Sequence, residues 1–219
     1  MTQAIKNCLP LGALLLFLCL FAPVRVEAAS EAQQALEITI NQVLVELQKP
    51  GLHDPAQRKG IEDNIERIVL TLFSFEELSM RTVGPNWRNF TQDQQKRFMD
   101  AFEDLLRERY TDALEGYNGG SVTFLKETPV GSSGDRVQID TSVTINNKSV
   151  PVNYRMQREK SGRWVVYDII IEGVGMVQNY RSQFQSVLQR GNAEELITLV
   201  RARADEMRET KTKSRQSRP

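Results

Sequence analysis

Within the run Arg163 to Ile171, RWVVYDIII, one carboxylate stands among large apolar neighbours: Asp168, between Val166 and Ile170. Desolvation disfavours the charged form of a carboxyl group, so an aspartate buried there could serve as a general base with a raised pKa. The competing reading pairs it with an arginine or with backbone amides at the rim of a sheet. With no second carboxylate in such a setting and a single histidine in the chain, the paired reading is preferred. That histidine, His53, lies in Lys49-Pro50-Gly51-Leu52-His53-Asp54-Pro55, a connection rich in turn residues, and reads as a solvated loop residue. Gly173 and Gly175 make a G-x-G, but the third glycine of a dinucleotide loop and its βαβ setting are missing. A bend that lets a helix pack closely on a strand is the better reading.

The N-terminus removes further chemistry. Lys6 precedes an apolar run from Leu9 to Phe21, and Val26-Glu27-Ala28 supplies the small residues of a cleavage site. Residues 1–28 are therefore expected to be a secretory signal peptide, cut after Ala28. The run is shorter than the ~20 residues that span a bilayer, and Leu16-Phe17-Leu18 is too bulky for a lipobox at Cys19. Cleavage takes away Cys8 and Cys19, leaving neither a disulfide, nor a Cys/His zinc site, nor a thiol nucleophile. No metal and no cofactor are expected.

Charge points the same way. From 28 basic and 28 acidic residues, losing Lys6, Arg25 and Glu27 leaves 26 and 27. Setting aside Lys211, Lys213, Arg215 and Arg218 leaves 22 and 27, a net −5 over residues 29–210. A mildly acidic body argues against a nucleic-acid partner. Residues 29–210 are expected to form one domain and residues 211–219 a flexible basic tail.

The elements that must position these residues follow from periodicity. Ser30 can cap a helix carrying Leu36, Ile40, Val43, Leu44 and Leu47; Asp54 with Pro55 opens another through Ile61, Ile65, Val69 and Leu72. Ser74/Glu77 and Thr91/Gln94 are capping-box pairs, the second starting a helix striped by Phe98, Phe102, Leu105, Leu106 and Tyr110. After Gly119-Gly120 the period falls to two. Strands are expected at Val122–Phe124, at Val137–Ile145, at Val150–Met156 after an Asn146-Asn147 turn, and at Trp164–Ile171. In the last strand, Val165, Tyr167, Ile169 and Ile171 are expected on one face. Two helices follow, one with Tyr180 and Phe184 inward, one capped by Asn192. The fold class is α+β, a meander of about four antiparallel strands with one apolar face covered by helices.

Three segments taken in order, FSFEELSMRTVGPNW, TQDQQKRFMDAFEDLLRERYTDALEGY and VVYDIIIEGVGMVQNYRSQFQSVLQRG, resemble the MlaC family of periplasmic lipid carriers, also called toluene-tolerance auxiliary proteins. The resemblance spans nearly all of the mature chain. It implies an NTF2-like or cystatin-like curved sheet enclosing an apolar cavity for the acyl chains of a glycerophospholipid. It also implies a periplasmic, non-catalytic, monomeric carrier working between an outer-membrane lipoprotein complex and an inner-membrane ABC transporter with its MCE-domain partner. Two chains of about sixteen carbons, at ~0.8 kcal/mol per buried CH₂, require a nearly hydrocarbon-like interior. Carried onto this sequence, the cavity wall is expected from Val143, Ile145, Val152, Tyr154, Tyr167, Ile169 and Ile171 with Phe98, Phe102, Leu106 and Tyr110, and its rim from Val174 and Met176. Arg81 and Arg181 are candidates for head-group or partner contact. Alternative readings are a carrier of hopanoids or other apolar lipids, and an NTF2-like enzyme using Asp168.

Overall fold

Local capping chemistry places the helices where the sequence predicts them. Ser30 Oγ accepts the Gln33 N–H at 3.0 Å and starts α1 (Glu31–Leu47). Asp54 Oδ1 accepts the Ala56 N–H at 2.9 Å ahead of α2 (Pro55–Leu72). Ser74 begins α3 (Phe75–Val83), and the reciprocal Thr91/Gln94 bonds, at 3.2 and 2.9 Å, begin α4 (Gln92–Glu115). These distances come from a computed structural model, which describes residues 29–115, 119–145 and 148–216. The expected signal peptide and the Asn146-Asn147 turn lie outside the described residues.

Five strands follow: β1 (Gly120–Pro129), β2 (Arg136–Ile145), β3 (Lys148–Arg158), β4 (Trp164–Ile171) and β5 (Val174–Gly175). They pair antiparallel in chain order, a meander with a short fifth strand beyond the four expected. Glu172 and Gly173, at φ 49° and 82°, form the two-residue turn joining β4 to β5. Both positive values suit the twist of a tight hairpin, and only the second residue is a glycine. α5 (Met176–Leu188) leaves β5 directly, and α6 (Ala193–Gln216) starts from Asn192, whose Oδ1 accepts the Glu194 and Glu195 N–H groups.

Register corrects one expectation. Met156 pairs with Val166 and Arg155 with Asp168, so Tyr167 is the extra residue of a bulge. A bulge breaks the alternation that places every second residue on one face. Val166 and Ile169 therefore share the face of Met156 and Tyr154, while Tyr167 lies beneath the Arg81 guanidinium, 4.0 Å from its ring centroid. A second bulge, at Leu125 of β1, turns Glu127 onto the Ile139 side of the sheet, where the Ser30 hydroxyl donates to its carboxylate. The start of α1 is tied to the sheet in this way.

The buried apolar residues form three clusters. The largest joins α3, α4, α5 and α6 around Phe98, Phe102, Tyr180 and Phe184, whose rings meet edge-on, stacked or tilted at 5.0–5.6 Å. A second packs Ala32 and Leu36 of α1 and Leu72 of α2 on Val137, Ile139, Met156 and Val166 of the sheet. The third joins α1 to α2 through Leu47, Leu52, Ile61 and Ile65. α6 runs on to Gln216, into the segment expected to be a flexible tail. Ion pairs from Arg208 and Lys211 to Glu108 of α4 hold those turns in place.

Candidate functional site

The space between the clusters is a cavity of about 580 Å³. α1 contributes Leu36, Ile40, Val43 and Leu44; α2 contributes Ile65, Val69, Leu70 and Leu72. The sheet adds Val122, Val143, Tyr154, Ile169 and Ile171, and Phe73, Phe75, Leu78, Leu106 and Met176 complete the apolar wall. A cavity of this volume, apolar with charged groups gathered on one side, has the size and lining of a ligand pocket and exceeds a packing defect. The charged groups come from α2, α4 and α6 and include Glu66, Glu103, Arg107 and Glu108.

Electrostatics differ between the two parts. Burial pushes the Tyr154 phenol up to about 12, so it stays neutral in the wall. On the ionic side burial raises the Glu103 carboxyl, with Arg107 partly opposing the shift. Arg107 itself bonds Glu66 at 2.6 Å and Asp104 at 2.8 Å, linking α4 to α2 across the cavity.

Of the residues expected to line the cavity, the structure brings together Leu106, Val143, Tyr154, Ile169, Ile171 and Met176. Phe98 and Phe102 share the α4 stripe with Leu106 but point into the aromatic cluster, fully buried. Val152 lies buried on the correct face without reaching the cavity, and Tyr167 is displaced by its bulge. Ile145 and Val174, at 39% and 63% exposure, stand at the solvent end of the sheet. Tyr110 lies in α4, its side chain outside the described residues. Neither Arg81 nor Arg181 reaches the wall: Arg81 bonds Glu77 and Gln157, and Arg181 lies against the Gly84 turn.

Asp168 is buried but faces away from the cavity. Its Oδ1 accepts the Val177 N–H at 2.9 Å, capping α5, and its Oδ2 lies 3.5 Å from Arg155 Nη1. Burial raises its pKa, the Val177 bond and Arg155 offsetting part of the effect. Asp168 thus has both partners that the paired reading offered as alternatives, an arginine and a backbone amide, although its role as a cap for α5 was not expected. The contributions of α1 and α2 were not foreseen. Their signal was an apolar stripe on each helix, which periodicity alone assigns equally to protein or to open space.

A sequence profile described as MlaC protein matches residues 37–202. The chain belongs to the MlaC family. It is 26% identical over 200 residues to the toluene tolerance protein ttg2D of Pseudomonas putida, covering 90% of this chain and 91% of that protein. It is 22% identical over 141 residues to the intermembrane phospholipid transport system binding protein MlaC of Haemophilus influenzae, covering 63% and 65% of the two. Among solved structures, a phospholipid-binding protein from Ralstonia solanacearum, determined in complex with a phospholipid, matches with a TM-score of 0.73 at 24% identity. That match covers 81% of this chain and 99% of the other, and what the two share is the fold. Within this MlaC-family fold, α6 continues past the matched segment and brings Arg208, Lys211 and Thr212 to the cavity.

Proposed function

We propose that this protein is a periplasmic phospholipid carrier, moving lipid between an outer-membrane lipoprotein complex and an inner-membrane ABC transporter with its MCE-domain partner. The observation that carries the reading is the cavity that divides the core into three clusters, apolar over most of its wall and ionic on one side. Acyl chains gain ~0.8 kcal/mol per buried CH₂ in such a space, and a charged head group needs the polar edge. Family membership and the phospholipid named for two relatives support the choice of ligand. The periplasmic placement rests on the signal-peptide pattern ending at Ala28. The carrier is a monomer that needs no cofactor and no catalytic residue, in keeping with the place of Asp168 outside the cavity lining.

Lipid extraction and mass spectrometry of protein purified from the periplasm test this. Phospholipid is expected at about one molecule per chain. Protein that is lipid-free and takes up no phospholipid from vesicles defeats the proposal, and a polycyclic lipid in the spectrum replaces its ligand. Ile169→Asp, which sets a charge on the apolar wall, should reduce lipid retention at least ~10-fold in a folded protein. Unchanged loading would mean that Ile169 faces ordinary core.

A further inference from the structure

The family match ends at residue 202, yet α6 runs to Gln216, and its added turns form one side of the cavity's ionic edge. There Glu108 of α4 accepts from Arg208 Nε at 3.1 Å and faces Lys211 Nζ at 3.3 Å. The Lys211 and Glu108 side chains are only 12% and 13% exposed, which shelters their pairing from the screening that weakens surface ion pairs. Together with Lys59 and Arg107, the cavity lining holds four cations against five carboxylates, all on α2, α4 and α6. Positive and negative groups are interspersed, so the edge is neither a basic patch nor an acidic one.

We infer that this edge selects phospholipids with zwitterionic head groups over those whose head groups carry net negative charge. The inference rests on the phospholipid reading above. With its acyl chains on the apolar wall, the ligand must leave its phosphodiester among the α2, α4 and α6 charges. There phosphate oxygens compete with Glu108 for Arg208 and Lys211. A head group that also carries an ammonium gives the displaced carboxylate a new partner, so charge is exchanged for charge. A head group without one, such as glycerol, leaves a sheltered carboxylate unpaired, and that is the costly outcome when a buried ion pair loses a member. The excess of one carboxylate acts in the same direction.

The full chain, equilibrated with vesicles holding equal amounts of phosphatidylethanolamine and phosphatidylglycerol with matched acyl chains, is re-isolated and its lipid quantified by mass spectrometry. The ethanolamine-to-glycerol ratio in the protein should exceed that of the vesicles by about fivefold or more. In Glu108→Gln, which has no charge to strand, it should fall to within about twofold of the vesicles. The double variant Arg208→Gln/Lys211→Gln, which leaves Glu108 unpaired before any lipid binds, should keep or raise the ratio, because only an ammonium can then partner that carboxylate, and loss of selectivity there overturns the inference. An equal or reversed ratio in the unaltered protein overturns the inference and leaves the phospholipid reading standing. Uptake of neither lipid overturns both, and full selectivity in folded Glu108→Gln overturns the role given to that residue.

Discussion

Asp168 is the residue whose chemistry is most easily misread. Buried within an apolar strand, it has the raised pKa of a candidate base, but its two oxygens serve the Val177 N–H and Arg155. Removing the acceptor strands a helix-terminal N–H, so Asp168→Ala should cost about 1–3 kcal/mol in denaturant unfolding. Asp168→Asn keeps an oxygen for Val177 and should cost less. The sign of the pH effect follows from the raised folded-state pKa: the group's contribution is fully present below its unfolded pKa and is lost as pH rises through the folded value. Relative to Asp168→Asn, the unaltered protein should therefore gain stability as pH falls from neutral into the carboxylate range, and a flat difference would mean the carboxyl is not desolvated. Lipid uptake should survive Asp168→Asn, since the side chain lies outside the cavity lining.

At the scale of elements, α4 and α6 are joined at both ends by ions. Near the start of α6, Arg97 donates to both oxygens of Glu194 at 2.5 and 2.9 Å, and that bonding, with a further bond from Gln94, takes the Glu194 carboxyl down to about 2. A depressed carboxylate contributes stability above its unfolded pKa, near 4.5, and loses it as pH falls toward 2. Glu194→Gln should remove that part of the acid transition, and identical melting profiles of variant and parent between pH 4.5 and 2 would count against the link. The elements themselves were legible because caps and periods are local: Ser30, Asp54, Ser74, Thr91 and Asn192 each start the helix their spacing predicts. Whatever depends on two elements at once was not. The Tyr167 bulge is set by pairing with β3, and one α4 stripe sends Leu106 to the cavity but Phe98 and Phe102 to the Tyr180/Phe184 rings. The charged turns of α6 read as a solvated end until Glu108 is placed beside them.

For the whole molecule, the apolar wall is shared among elements that otherwise meet through separate clusters. Ligand that binds only the folded state stabilises it by RT ln(1 + [L]/Kd), about 2.7 kcal/mol when lipid is at a hundredfold its Kd. Loaded protein should melt higher than delipidated protein, by an amount that grows with lipid concentration. The division of the core has a sharper consequence. With no single cluster of the described residues spanning it, the empty protein has less than one core's worth of mutual support, and the α1–α2 pair, joined internally by Leu47, Leu52, Ile61 and Ile65, meets the sheet chiefly through Ala32, Leu36 and Leu72. Native-state hydrogen exchange should then find two cooperative units in the delipidated chain, α1–α2 opening before the sheet and α4–α6. On loading, the acyl chains complete the missing middle, and both units should exchange together through global unfolding. The cargo is in this sense the last hydrophobic segment to fold, and a carrier that has delivered it is a protein with a solvent-ready seam.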